Sequence, residues 1–316
     1  RGASCFILSF SLDSAVALIA EVRLQRVVPS FRSSKLLQAP KGHYVELNFS
    51  LETSHATPCI DDVYLEVRDG YSKSANLLGV FCGRNISGIV RSSGRSLWLG
   101  KTAKFNYHFR CSYSNKTINT TVQANLDKVA KIQSVLSNHF SSLWCPAQGA
   151  PAPVIVWRKN GIVVQNSTSV KYQLTITEEN NYSCEVKRQD GFDKKEINLV
   201  MERCPNPCRC ETAVGIMRAV TRIECRGKHL QSVPRHLPLP TAKLNLKYNQ
   251  IKELPPEVFQ NNTELAVLNL KYNQIKELPP EVFQNNTELA VLALGYNQIK
   301  ELPPGIFNYN TKLVTL

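Results

Sequence analysis

Leu244-Asn-Leu-Lys-Tyr-Asn-Gln-Ile-Lys-Glu-Leu-Pro255 returns 24 residues later as Leu268 to Pro279, and again as Leu292 to Pro303 with Ala293 and Gly295 as its two changes. Leu244, Leu268, Leu292 and Leu316 keep this period, as do Leu246, Leu270 and Leu294, then Asn249, Asn273 and Asn297, then Ile251, Ile275 and Ile299. Lys247 to Leu268 is repeated letter for letter as Lys271 to Leu292. Self-similarity at such a period marks a stacked array in which no unit buries its apolar face alone. The pattern L-x-L-x-x-N-x-I-x-x-L-P, followed by Phe259, Phe283 and Phe307, predicts one short parallel strand per turn of a solenoid. The leucines face inward, where each contributes ~1.5–3 kcal/mol once a neighbouring turn covers it.

The outward positions of these strands carry Asn245, Lys247 and Tyr248, then Asn269, Lys271 and Tyr272, then Ala293, Gly295 and Tyr296. Neighbouring strands lie ~4.8 Å apart, so Tyr248, Tyr272 and Tyr296 are expected to form a row beside Lys247 and Lys271. Tyrosine is enriched in interface cores, which makes the row a candidate partner-binding surface. Leu316 opens a fourth turn, and a stack must cover its apolar end. The natural protein is therefore expected to continue beyond Leu316.

Before the repeats stand Cys204, Cys208, Cys210 and Cys225. Thiolates so spaced make either a tetrahedral zinc site or two disulfides. Cys204-Pro-Asn-Pro-Cys208-Arg-Cys210, read with the 24-residue pattern, resembles the cap that opens extracellular leucine-rich repeats. That resemblance implies the pairs Cys204–Cys210 and Cys208–Cys225. It also implies that Asn249, Asn273 and Asn297 tie the backbones of adjacent turns together.

The middle of the chain reads Cys145-Pro-Ala-Gln-Gly-Ala-Pro-Ala-Pro-Val-Ile-Val-Trp157-Arg-Lys-Asn160-Gly161, then Leu174-Thr-Ile176, then Tyr182-Ser-Cys184. Asn160-Gly161 supplies the positive backbone angles of a hairpin turn. The motif resembles an immunoglobulin domain of the intermediate type. The resemblance implies a sandwich pinned by Cys145–Cys184, with Trp157 against the bridge and Tyr182 as a tyrosine corner. The short interval from Trp157 to Cys184 predicts a reduced middle strand.

Nearer the front, Tyr44-Val-Glu-Leu-Asn-Phe49 and Val63-Tyr-Leu-Glu-Val-Arg68 alternate with period two, as half-buried strands do, and Asp69-Gly70 closes the second. Cys59-Ile-Asp-Asp62-Val-Tyr-Leu-Glu-Val-Arg-Asp-Gly70, Leu77-Leu-Gly-Val-Phe-Cys82-Gly83 and Ser92-Ser-Gly-Arg-Ser-Leu-Trp-Leu99 resemble a CUB domain. The resemblance implies a Cys59–Cys82 bridge worth roughly 3 kcal/mol by loop closure. It also raises calcium, since Glu52 and Asp62 match two of the family's acidic ligands. The late loop that would supply the third reads Leu99-Gly-Lys101-Thr-Ala-Lys104. Lysine is no ligand for a hard cation, so no metal or other cofactor is expected, and Cys5 and Cys111 remain without an assigned pairing.

The fold class expected is mainly β, in the order CUB-like β-sandwich, immunoglobulin β-sandwich and leucine-rich-repeat solenoid. The boundaries read as 1–23 residual signal peptide or disordered N-terminus, 24–123 CUB-like, 124–203 immunoglobulin-like, 204–243 cysteine-rich cap and 244–316 repeats. The signal reading rests on apolar Cys5 to Ala20 with small residues at Ala15, Ala17 and Ala20; a first strand of the following domain is the alternative.

Asn-X-Ser/Thr sequons occur at Asn48, Asn85, Asn115, Asn119, Asn166, Asn181, Asn261 and Asn285, and Asn181 abuts the buried tyrosine corner, which disfavours its use. Together with ten cysteines they point to a secreted, oxidising compartment. No run reaches the ~18 apolar residues of a membrane span, so any anchor is expected outside residues 1–316. Of the net charge of +13, most sits at the front: residues 1–123 carry 15 basic against 8 acidic side chains. No acid falls between Asp69 and Asp127, and Arg84, Arg91, Arg95, Lys101, Lys104 and Arg110 make that stretch a candidate for heparan sulfate or another acidic glycan. The compartment and the modules exclude nucleic acid as the partner.

No catalytic set assembles in the sequence. His43, His55, His108, His139, His229 and His236 are scattered, and neither a nucleophile elbow nor a phosphate-cradling glycine loop occurs. The reading is a non-enzymatic recognition or adhesion module, the ectodomain of a cell-surface receptor that binds an extracellular protein ligand or glycans. Its alternative is a matrix protein of the peroxidasin type, with an enzyme domain elsewhere.

Overall fold

The structure, a computed structural model, describes residues 6–9, 20–21, 34–52, 65–81, 86–101, 106–115, 122–175, 180–189, 191–215 and 218–316. The first module contains β1 (Phe6–Ser9), β2 (Ala20–Glu21), β3 (Lys35–Gln38), β4 (His43–Glu52), β5 (Leu65–Asp69), β6 (Asn76–Phe81), β7 (Ile86–Arg91), β8 (Ser96–Lys101) and β9 (Asn106–Asn115). One sheet has the order β2-β1-β3-β8-β5-β6 and the other β7-β4-β9. The alternation in Tyr44 to Phe49 and Leu65 to Val67 sends Val45, Leu47, Phe49, Leu65 and Val67 into the shared core beside Leu97 and Leu99. Strand β1 pairs antiparallel with β3, Phe6 opposite Gln38, and with β2.

The second module holds β10 (Val122–Asn125), β11 (Ile132–Leu136), β12 (Phe140–Trp144), β13 (Gln148–Ala150), β14 (Ile155–Lys159), β15 (Ile162–Ser167), β16 (Lys171–Thr175), β17 (Tyr182–Arg188) and β18 (Gly191–Glu202). A five-stranded sheet, β11-β18-β17-β14-β15, faces the pair β12-β16. Cys145 and Cys184 are bonded across the core, and fully buried Trp157 lies opposite Cys184 in the ladder. Asn160 and Gly161 have φ of 50° and 82°, the left-handed pair that a tight hairpin between β14 and β15 requires. Strand β10 pairs with β13 through Val122 opposite Ala150 and Asn125 opposite Gln148.

The third module opens with the hairpin β19 (Arg209–Gly215) and β20 (Arg218–Glu224), followed by β21 (Thr241–Asn245), β22 (Val267–Asn269) and β23 (Val291–Ala293). From β20 onward the ladder is parallel, and Leu244, Leu268 and Leu292 stand in register. These leucines, with Leu246, Leu270, Ile251, Ile275, Phe259 and Phe283, are fully buried in one core. Phe259, Phe283 and Phe307 stack along it at 6.1 and 6.2 Å. Cys204–Cys210 and Cys208–Cys225 are bonded at its head.

The modules share walls as well as a chain. Leu77 and Val80 of the first module pack into the core of the second, and Ala152 of the second packs into the core of the first. Val170 N donates to Leu77 O at 2.9 Å. The Asp69 carboxylate accepts from Ser93 N at 2.9 Å and from the buried Thr168 hydroxyl at 2.8 Å. Lys171 sits at this seam, where burial and the nearby Arg68 hold its pKa below the usual lysine range. Leu136 in turn packs with Cys210 and Ile223 of the cap.

Candidate recognition surfaces

Tyr248, Tyr272 and Tyr296 lie three residues past the ends of β21, β22 and β23, and each has a φ near +59°. They are therefore not strand residues on a flat face, as the spacing alone predicts. A left-handed turn at the same point of every repeat tips the rings onto one another at centroid distances of 4.5 and 4.1 Å, closer than the ~4.8 Å strand spacing. The ring faces are thus used within the stack, and Tyr248 and Tyr296 remain 42% and 70% exposed. Lys247 Nζ lies 4.7 Å from the Tyr248 centroid and 5.1 Å from that of Tyr272, and the Arg226 guanidinium lies 4.9 Å from Tyr248. Such cation–π contacts contribute about 0.5–1 kcal/mol at exposed sites and hold the positive charge against the row. Hydrogen bonding to Tyr296, with partial desolvation behind it, pushes the Tyr272 phenol up to about 12. In the third repeat Gly295 replaces the lysine, and a Cβ there would meet Lys271 Cε at 3.7 Å.

Of the basic stretch, Arg95 is exposed, whereas Arg91 Nε donates to Glu46 at 2.7 Å. That ion pair forms because β7 lies beside β4 and sets Arg91 opposite Glu46. Lys101 and Arg110 stand on β8 and β9. Arg84 and Lys104 lie outside the described residues, as do Cys5, Cys59, Asp62, Cys82, Asn85 and Asn119. Glu52 ends β4, Cys111 and Asn115 stand on β9, and no cluster of metal-binding side chains occurs among the described residues. Asn48, Asn166, Asn181, Asn261 and Asn285 are all exposed.

Two features escaped the sequence reading. The first ladder, Asn249, Asn273 and Asn297, bonds backbone groups of its own and the preceding turn, for example Asn273 Nδ2 to Leu246 O at 2.9 Å. A second ladder, Asn286 and Asn310, bonds carbonyls of the preceding turn at the far side of each unit. Its signal was present as the second asparagine of Asn261-Asn262 and Asn285-Asn286, but the sequons drew the reading to the first. The other missed group is the Asp69–Ser93–Thr168 lock, whose members are far apart in sequence.

The protein families matched are CUB domain over residues 34–108, immunoglobulin domain over 128–201 and leucine-rich repeat over 241–299. The chain thus carries these three modules in this order, an all-β set found in extracellular adhesion and recognition proteins. Hemicentin-2 of Mus musculus is 30% identical over 118 residues, which cover 34% of this chain and 2% of hemicentin-2. Tolloid-like protein 1 of Mus musculus is 34% identical over 67 residues, covering 21% and 6%. Leucine-rich repeat-containing G-protein coupled receptor 5 of Xenopus tropicalis is 40% identical over 58 residues, covering 18% and 6%. The matched segments are therefore small fractions of these relatives. Among solved structures, the tandem immunoglobulin repeats of Dlar align over 56% of this chain and 91% of that one at 14% identity and a TM-score of 0.22. Domain types and relatives agree on an extracellular or ectodomain location, and no helix among the described residues is long and apolar enough to cross a membrane.

Proposed function

We propose that the chain is a non-enzymatic, ligand-binding segment of a cell-surface receptor, and that its repeats contact an extracellular protein through the tyrosine row. The observation that carries this reading is the stack of Tyr248, Tyr272 and Tyr296 with Lys247 and Arg226 against it. Rigid aromatic edges lose little conformational entropy on binding, and the attached cations favour a partner whose contacting segment is acidic. The matrix-protein reading differs in what the rest of the molecule would carry and makes the same use of the row. Heparan sulfate is a second partner under this reading, through exposed Arg95 and its basic neighbours in the first module.

The test uses the secreted chain fused to a dimerising tag and a panel of cultured cells. Saturable binding is expected, and Y248A/Y272A/Y296A is expected to abolish it. Binding unchanged in the triple variant, or absent across the panel for the natural chain, would count against the reading. Retention on heparin that falls with salt is expected of the first module's charge; elution at physiological ionic strength would remove the glycan partner.

A further inference from the structure

The three modules meet around a cleft of about 1100 Å3. Strand β7 of the first module forms one wall, Trp144, Gln148 and Pro153 of the second another, and Asn261 to Glu264 of the first repeat the third. Trp144 and Asn262 line these walls, and one N–H donor of each, Trp144 Nε1 and Asn262 Nδ2, is buried behind the surface with no acceptor among the described residues. Their side chains belong to residues only 2% and 4% exposed.

The neighbouring turn shows that the Asn262 orphan comes from its place in the stack. Asn286, in an identical stretch of sequence, donates to Phe259 O at 3.0 Å and to Asn262 O at 2.9 Å of the preceding turn. Asn310 repeats the bonds one turn later, to Phe283 O and Asn286 O. Before Asn262 comes the cap instead of a repeat, and there the carbonyl of Pro238, 24 residues upstream, accepts from the Thr241 hydroxyl. A buried donor left in this way favours any acceptor that the cleft can deliver.

We propose that the cleft seats the core of an N-linked glycan attached to Asn261. Asn261-Asn262-Thr263 is a sequon, all three residues line the cleft, and Asn261 itself is exposed. The first sugar of such a glycan is an N-acetylglucosamine, whose acetamide carbonyl matches an unpaired N–H and whose methyl group suits the walls at Ile89 and Pro153. A rotation of the Asn262 amide about its last side-chain bond turns the donor toward the sugar. In the attachment step the Asn261 amide nitrogen forms a bond to the sugar's anomeric carbon. The carbon–oxygen bond to a lipid pyrophosphate carrier breaks, the pyrophosphate leaves with the electron pair, and the amide proton passes to the transferase. This inference rests on the extracellular reading, since that transfer takes place on the secretory route. The matching sequon of the next turn, Asn285-Asn286-Thr287, does not line the cleft.

The test is the full chain secreted from mammalian cells, with site occupancy read by mass spectrometry. Asn261 is expected to carry a glycan that a peptide N-glycanase releases about tenfold more slowly than the Asn166 glycan while the protein is folded, and equally fast after denaturation. N261Q and T263A are each expected to speed amide hydrogen exchange at residues 88–91 and 148–153, and N166Q to leave those segments unchanged. A bare Asn261 beside an occupied Asn48 or Asn166 would overturn the proposal and leave the compartment standing. If every sequon is bare, both fall. Equal release rates from the folded protein, or N261Q without effect on exchange, would also overturn it.

Discussion

The first and second repeats of this chain have the same sequence from Lys247 to Leu268 and from Lys271 to Leu292, yet they differ at Asn262 against Asn286 and at Glu264 against Glu288, whose side chains meet different neighbours. Phe259 and Phe283 are both fully buried. The Asn286 amide makes two bonds to the turn before it, and that of Asn262 makes none. Glu264 takes a bidentate ion pair from Arg218 of the cap, and Glu288 pairs with Lys312. Identical residues thus acquire different roles from their neighbours alone, because in a stacked array each unit is completed by the one beside it.

Substitutions at matched positions test how far this holds, using protein stripped of glycans and urea unfolding of the repeat module. The largest effect belongs where the two copies agree: Phe259→Ala and Phe283→Ala should each cost about 3–5 kcal/mol. A gap of more than about 2 kcal/mol between them, in the same measurement, would mean that burial is not shared equally. The asparagines should diverge. N286A removes two buried bonds and should cost about 1–3 kcal/mol, whereas N262A, which keeps the sequon, should cost less than about 1 kcal/mol. Equal losses would break the comparison.

The tyrosine row supplies a pH test. A phenol whose folded pKa is raised stabilises the fold fully below its unfolded value of ~10. That contribution is lost as pH rises through about 12, the value for Tyr272. Ultraviolet difference titration should show a late tyrosine phase that Y272F deletes; a titration with no late phase would contradict the raised Tyr272 phenol. Smallest of all, R218A and K312A should each change stability by less than ~1 kcal/mol, since both pairs are solvent-screened. A loss above that range for R218A alone would show that the cap pair is shielded where its counterpart is not.

Periodicity and cysteine spacing carried most of the architecture. The 24-residue repeat placed β21, β22 and β23, Trp157 and its flanking motif placed the immunoglobulin core, and the alternation around Val45 and Val67 placed the first sandwich. The candidate surface was half legible. Spacing brought Tyr248, Tyr272 and Tyr296 together, but the left-handed turn that stacks them depends on three backbone angles that no side-chain pattern announces. The ion pair of Arg91 with Glu46 was not legible, because the two are distant in sequence and adjacent only through β4 and β7. The cleft was invisible for a stronger reason: it belongs to no single module, and its walls are set by how Leu77, Ala152 and Leu136 dock.

The Asp69–Thr168 bond and the backbone bond from Val170 to Leu77 have a mechanical consequence. Joined at that seam, the first two modules work as a ruler with marks at a set separation, so a partner gripping both ends must match its length. Two attachments on such a ruler reinforce each other only when their targets are spaced to suit.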